Sequence, residues 1–359
     1  MTDLPKTLAQ YEMQAEQALP PAIAAYFLRG AGAGHTMQRN RDDLNAIQIV
    51  PSVLRDLRGG HTRLNLLDRT LAHPILVAPM AYQTLLHPDG EAGTAAAATA
   101  QEAGMVLSAQ ASQPMADVRA AGGNCRWFQL YWMGNRQTTL TLANRAAQAG
   151  FEALILTVDA PLTGVRDAEI EADFKLPQNV SAVNLHDLPS PSFAPLQTGE
   201  SAIFDRIAHT LPRWEDIAWL CQNAPLPVLL KGILTPNDAE TGIQSGAAGI
   251  IVSNHGGRVL DGAPSAISAL PEIAKTTAGR VPILMDGGLR RGADIFRALA
   301  LGATAVLIGR PVACGLAVAG AHGASHVLRL LRDELHITMA LAGCATLDQI
   351  TRQHIRRDT

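Results

Sequence analysis

The loop Ser253-Asn254-His255-Gly256-Gly257-Arg258-Val259-Leu260-Asp261 sets a potential base, two glycines and a cation side by side. It directly follows the apolar, β-branched run Ala248-Gly249-Ile250-Ile251-Val252, which reads as a buried strand. His255 can change its protonation near neutral pH, and Arg258 carries a planar fork that matches a carboxylate. An isolated histidine of this kind is usually a satisfied capping residue, so the rest of the chain has to decide its role.

Polar residues also end the other apolar runs: Ser108 and Gln110, Gln129 and Tyr131, Thr157 and Asp159, Lys231, and Asp286 with Arg290. Buried strand ends gain nothing from polar groups unless these find partners, so the recurrence points to a functional face. Asp286-Gly287-Gly288-Leu289-Arg290 and Gly309-Arg310-Pro311 add a second signal. Glycine lets backbone N–H groups approach an anion, and arginine clamps its oxygens. At two successive late strand ends, the combination predicts a phosphate site.

The elements that must position these residues repeat regularly. Strand-like runs at 75–78, 105–108, 127–131, 154–159, 228–231, 248–252, 281–286 and 305–308 alternate with helical stretches. The helical stretches lie at 90–104, 113–121, 137–149, 214–220, 235–245, 265–277 and 293–301, and the last strand leads into an amphipathic segment at 325–341. About eight βα units in succession predict an α/β fold, a closed (β/α)8 TIM barrel. We expect one domain over 1–359, with an N-terminal helical and short-strand cover at 1–74 and the barrel at 75–341. A long insertion at 167–213, containing Leu188-Pro189-Ser190-Pro191-Ser192-Phe193-Ala194-Pro195, reads as a mobile lid after the fourth strand. Gly30-Ala31-Gly32-Ala33-Gly34 follows the helical stretch 8–29 with no strand before it, so it reads as a turn closing a helix rather than a phosphate loop.

Composition narrows the classes. The 359 residues are 47% hydrophobic and only 4% aromatic, which suits an aliphatic core between helices and a parallel sheet. A net charge of −3 with no basic stripe argues against nucleic acid as a partner. Cys125, Cys221, Cys314 and Cys344 are widely spaced, unlike a disulfide frame or zinc site, and no metal is expected. The start Met1-Thr2-Asp3-Leu4-Pro5-Lys6 carries no leader pattern, and no apolar run suggests a membrane span, so a cytoplasmic protein is expected.

The constellation resembles the FMN-dependent 2-hydroxy-acid oxidase family, whose members act on glycolate, lactate and mandelate. Ser253–Asp261 is the most specific match, joined by Phe128-Gln129-Leu130-Tyr131, Leu156-Thr157-Val158-Asp159, Leu230-Lys231-Gly232 and Asp286-Gly287-Gly288-Leu289-Arg290-Arg291-Gly292. The resemblance implies FMN as cofactor, resting against the backbone after Ala78-Pro79, with its polar edge at Ser108, Gln129, Thr157 and Lys231. Ser253 and Asp286 would meet the ribityl chain, and Gly287, Gly288, Arg290, Gly309 and Arg310 the phosphate. Arg258 and Arg166 would hold a substrate carboxylate with help from Tyr26, and Tyr131 would bind the hydroxyl. His255 would be the general base, oriented by Asp159.

The implied reaction turns an (S)-2-hydroxy acid into the 2-keto acid, and O2 then reoxidises the flavin and yields hydrogen peroxide. A homo-oligomer, tetrameric or larger, is also implied. Gln110 stands where several relatives have tryptophan, which changes the wall of the substrate pocket. Four alternatives remain open. The electron acceptor could be a quinone or cytochrome, the product could be decarboxylated as in a lactate monooxygenase, the chain could be an FMN-barrel isomerase, or it could be a barrel that binds phosphate or flavin without catalysis. An isomerase has no need of the His255/Arg258 pair.

Overall fold

Eight short apolar runs pair side by side in chain order and close on themselves. In a computed structural model, which describes residues 4–189 and 192–357, they form β1 (Ile75–Val77), β2 (Gly104–Ser108), β3 (Cys125–Leu130), β4 (Ala153–Thr157), β5 (Val228–Ile233), β6 (Gly249–Val252), β7 (Ile283–Met285) and β8 (Ala305–Ile308). All neighbours run parallel, and β8 pairs back onto β1 through Val306↔Ile75. The closed (β/α)8 barrel expected from the sequence is therefore present. Several of its helices start on side-chain caps: Asn135, Thr235 and Ser265 accept from the N–H groups of Thr138, Asp238 and Ser268.

Alternation along the strands explains how the mouth is built. Leu76, Val106, Trp127, Ile155, Leu229, Ile251, Leu284 and Leu307 form one inner cluster. Because strand side chains repeat with period two, the next inward layer is Ala78, Ser108, Gln129, Thr157, Lys231, Ser253, Asp286 and Gly309. Apolar residues fill the middle of the barrel, and a mostly polar ring tops it.

The N-terminal cover is more differentiated than the sequence suggested. The stretch 8–29 is two helices, Leu8–Ala18 and Pro21–Leu28, parted at Pro20-Pro21. The glycine-rich turn ends the second and also opens a third, His35–Asn45, from Gly34 at φ 81°. The expectation that this turn only closes a helix is thus corrected. Gly30 lies so near the His255 loop that an added Cβ would sit 2.9 Å from the carbonyl oxygen of Gly257. The neighbouring Ala31 N–H donates to the same carbonyl at 2.7 Å. A hairpin, Leu64–Leu66 with Arg69–Leu71, packs Leu64, Leu66, Leu67 and Leu71 on the inner cluster, so part of the cover is a floor for the barrel. Ile47–Ile49 pairs antiparallel with Ile355–Arg357.

Two other boundaries move. The last helix begins directly after β8 and runs Arg310–Ala342, not from 325, and it leaves helical geometry at Ala319-Gly320. Its length and composition would suffice to cross a membrane, yet Val312, Leu316, Val327, Leu331 and Leu335 are buried against the rest of the molecule. The insertion is not structureless either: it holds a short helix, Asp167–Glu171, and 3-10 turns at Val183–Leu185 and Ile207–Thr210. Ser190 and Pro191 of its proline-rich run, and the first three residues read above for a leader, lie outside the described residues.

Candidate active site

A cavity at the barrel mouth collects nearly every residue the sequence singled out. Its lining includes Tyr26, Ala78, Pro79, Ser108, Gln110, Gln129, Tyr131, Thr157 and Arg166. Lys231, His255, Arg258, Asp286, Gly287, Gly288, Arg290, Gly309 and Arg310 complete the expected set. Asp159 adjoins this lining through His255, and so does Ser253. Its hydroxyl donates to Asp286 at 2.5 Å and accepts from Lys231 Nζ at 3.0 Å and the His255 N–H at 2.9 Å. Those three bonds use the hydroxyl fully, so Ser253 anchors the loop and the lysine.

The loop is held in an unusual shape. His255, Gly256 and Gly257 all take positive φ, at 57°, 64° and 76°. An L side chain at such φ is disfavoured, so the surroundings must fix it. Asn254 does much of this work: it exchanges two hydrogen bonds with Asn40, at 3.0 and 2.8 Å, and donates to the Pro264 carbonyl at 3.0 Å. It also accepts from the Gly257 N–H at 3.1 Å. At Gly257 a Cβ would meet the Met37 backbone nitrogen at 2.6 Å.

His255 Nδ1 and Asp159 Oδ1 are 2.9 Å apart. The carboxylate fixes Nδ1 as the protonated nitrogen, which leaves Nε2 as the basic atom. Burial and the nearby Lys231 lower the histidine pKa against the opposing pull of Asp159, so the imidazole is held neutral. Asp159 is itself buried, but Lys231 and His255 outweigh that and keep its pKa below the usual value. Lys231 lies 3.0 Å from Asp286 Oδ2, and Asp286 and Asp159 overcome its burial to raise its pKa. Gly232, where the pairing of β5 with β6 shifts register, sits at φ 112° against Asp159.

Along the rim, Ser108 donates to Gln129 Oε1 at 3.1 Å, and Gln129 Nε2 donates to Thr157 Oγ1 at 3.1 Å. On the other side, Arg258 donates to the carbonyls of Tyr26 and Arg29, so the N-terminal cover positions it. Its guanidinium stands 5.1 Å from the Tyr26 ring centre and that of Arg166 stands 6.0 Å away. Burial, with repulsion from Arg166, lowers the Arg258 pKa, while burial raises that of Tyr26 to about 12. Arg310 donates to the carbonyls of Gly256 at 2.8 Å and Arg29 at 2.9 Å, and its buried Nε has no partner among the described residues. Burial and the nearby Arg258 and Arg290 pull its pKa well below the ordinary arginine value.

Several contributors were not singled out by sequence. Asn40 braces Asn254, and Arg41 binds the Gly288 carbonyl and Asp294. Glu12 pairs with Arg290. Glu169 pairs with Arg166 at 3.0 Å and approaches Arg258 at 3.6 Å, and Phe174 stacks on Tyr26 with ring centres 4.6 Å apart. Only Asn40 left a trace: it shares a helix face with Thr36 and Leu44 at spacing four, a polar residue on a buried stripe.

Residues 15–357 match the family described as FMN-dependent dehydrogenase. The chain belongs to that family. FMN-dependent dehydrogenase relatives include an L-lactate oxidase of Roseobacter sp. (strain GAI101), 49% identical over 348 residues, covering 97% of this chain and 94% of the relative. Glycolate oxidase 1 of Zea mays is 43% identical over 349 residues, covering 96% and 94%. A crystal structure of mandelate oxidase with (S)-2-phenylpropionate superposes with a TM-score of 0.87 at 37% identity, covering 98% of this chain and 97% of that one. The cofactor of the family is FMN, and the cavity fits it. A buried Arg310 Nε without a partner among the described residues, and a helix whose N-cap Gly309 supplies no side-chain cap, are donors suited to a phosphate.

Proposed function

We propose that this chain oxidises an (S)-2-hydroxy monocarboxylic acid to the 2-keto acid on FMN, and that O2 takes up the electrons to give hydrogen peroxide. The observation that carries this reading is the His255–Asp159 pair, whose histidine lines the same cavity as Arg258, Arg166 and Lys231. A base, a carboxylate clamp and a cation suit the removal of two protons and two electrons from a 2-hydroxy acid, one of the protons passing to the base.

In this reading Arg258 and Arg166 bind the carboxylate over the Tyr26 ring, and Tyr131 takes the hydroxyl. Nε2 of the neutral His255 accepts one substrate proton, and Asp159 stabilises the imidazolium that forms. Lys231 stands ready to balance negative charge at the polar rim, where Gln129 and Thr157 supply hydrogen bonds. Arg290, Arg310, Gly287, Gly288 and Gly309 hold the phosphate. FMN, when bound, would supply the acceptor for the two electrons and the second hydrogen, and would pass them on to O2.

The lactate and glycolate oxidase relatives support a short side chain on the substrate, and an amide at Gln110 supports one that tolerates a polar wall. We also place the protein in the cytoplasm, in keeping with free thiols at Cys221, Cys314 and Cys344, and in a homo-oligomer of four or more copies. The exposed apolar side chains Val53, Leu54, Ile337 and Leu341 support such an assembly.

The test is anaerobic titration of the yellow holoenzyme with glycolate, lactate, mandelate and longer 2-hydroxy acids. Bleaching by one of them, followed by peroxide when air is admitted, is the expected result. No bleaching with any 2-hydroxy acid would refute the reading, and rapid reduction of a quinone with little of O2 would replace the acceptor. His255→Ala should stay yellow but no longer bleach.

A further inference from the structure

We propose that Glu169 is an internal carboxylate that occupies the Arg166–Arg258 clamp and competes with the substrate's carboxylate for it. The inference rests on the reading of those arginines as the carboxylate clamp. Glu169 Oε1 and Oε2 lie 3.0 and 3.3 Å from Arg166 Nη1, and Oε1 lies 3.6 Å from Arg258 Nη2. Arg166, Arg258 and Glu169 are each only 15–16% exposed, so these charges meet largely out of water. A substrate carboxylate needs the same N–H groups, and the two anions cannot share them without strong repulsion.

Glu169 is placed to move. Its helix, Asp167–Glu171, has no buried residue, and Ile170 and the preceding Val165 are exposed. The start of the segment is fixed, with the Val165 carbonyl accepting from the Gly32 N–H at 2.8 Å and Arg166 Nε donating to the Arg258 carbonyl at 3.1 Å. Beyond Arg166, Glu169 rests on the arginines and Phe174 stacks on Tyr26, and an anion that takes the arginines removes the first of these contacts. The backbone of Glu169 stays tethered to the cavity edge through its N–H to the Arg166 carbonyl, at 3.0 Å. A displaced Glu169 therefore remains close to the clamp, and its charge disfavours a ligand that brings a second carboxylate. Two guanidinium groups against one glutamate leave one positive charge for one incoming anion, so the site suits monocarboxylates.

The test uses propanoate and succinate as non-oxidisable probes, titrated into holoenzyme and followed by the visible spectrum of the flavin. If Glu169 holds the clamp about nine-tenths of the time, apparent affinity is reduced about tenfold. Glu169→Gln should then bind propanoate about tenfold more tightly, with a matching fall in KM, and should narrow the preference for propanoate over succinate. Glu169→Asp, one methylene shorter, should fall between and carries the test if the Gln variant folds poorly. Unchanged or weaker propanoate binding in both variants would overturn the proposal and make Glu169 a residue that positions Arg166. Arg258→Gln separates the two levels. If it leaves propanoate affinity untouched, the clamp reading itself fails; if it weakens binding while the Glu169 variants change nothing, only the competition fails.

Discussion

Gly232→Ala should cripple the enzyme from a position that touches neither substrate nor cofactor. Gly232 sits at φ 112°, and an added Cβ would lie 2.4 Å from Asp159 Cβ, 2.5 Å from its Cγ and 2.7 Å from its backbone nitrogen. Since ordinary contact starts near 3.4 Å, Asp159 must retreat by about 1 Å. Its backbone is involved, so a change of rotamer alone cannot relieve the clash. A shift of that size breaks the 2.9 Å bond to His255 Nδ1 and frees the imidazole to turn. A misplacement of about 1 Å typically costs about 100-fold in rate, or about 2.7 kcal/mol. The strained backbone adds a stability loss of about 1–3 kcal/mol. Gly279→Ala is the control, because that glycine also has positive φ, at 74°, but nothing lies within 4 Å of the added carbon. Stopped-flow measurement of anaerobic flavin reduction, together with thermal melting, separates the two effects. Reduction in Gly232→Ala within about threefold of wild type would refute the coupling between this glycine and the base.

Lys231→Met leaves the buried Asp286 and Asp159 without their shared cation and should cost about 3–5 kcal/mol, measured by urea unfolding. His255 has a folded pKa below its ordinary 6.5, so the unfolded chain takes up a proton that the native chain refuses as pH falls. Its contribution to stability is complete above that value and lost as pH drops through the folded pKa, and kcat/KM should fall on the same acid limb. A flat kcat/KM profile across that window would count against a neutral His255 as base. Arg310→Lys keeps a charge but loses the fork and the Nε donor, and should weaken FMN binding about 10–100-fold in reconstitution of the apoprotein.

The barrel was legible because its signals are local. Each strand is a β-branched or leucine-rich run bounded by glycine, proline or a polar end, and the period-two alternation that buries Ile251 also puts Ser253 in the mouth layer. The helix His35–Asn45 escaped because its buried face is Thr36, Asn40 and Leu44, two of them polar and satisfied by the Leu260 and Ala263 carbonyls and by Asn254, far away in sequence. Gly315 and Gly323 hid the start of the last helix: they read as breakers, but they let the two arms of the kink approach until an added Cβ would fall within 2.6 Å of the opposite carbonyl oxygen. Glu12 and Glu169 carry no sequence signal of the charges they meet. Their partners, Arg290 and the Arg166–Arg258 pair, are brought to them by the closed barrel, which no local pattern records.

The hydrogen-bond chain along the rim also has a direction. Ser108 gives its hydrogen to Gln129, and Gln129 gives one to Thr157, so the bonds run one way round the rim and hydrogens are left over. The Thr157 hydroxyl, the second amide hydrogen of Gln129 and the third ammonium hydrogen of Lys231 remain to be given away. These unspent hydrogens are an electronic bias built from three neighbouring strand ends and a lysine. It lowers the energy of an aromatic ring that has gained electrons more than that of the same ring before it gained them, because the acceptor atoms of the richer ring bind hydrogen more strongly. The reduction potential of the bound flavin should therefore lie above that of the flavin in water, set by which way one glutamine amide faces.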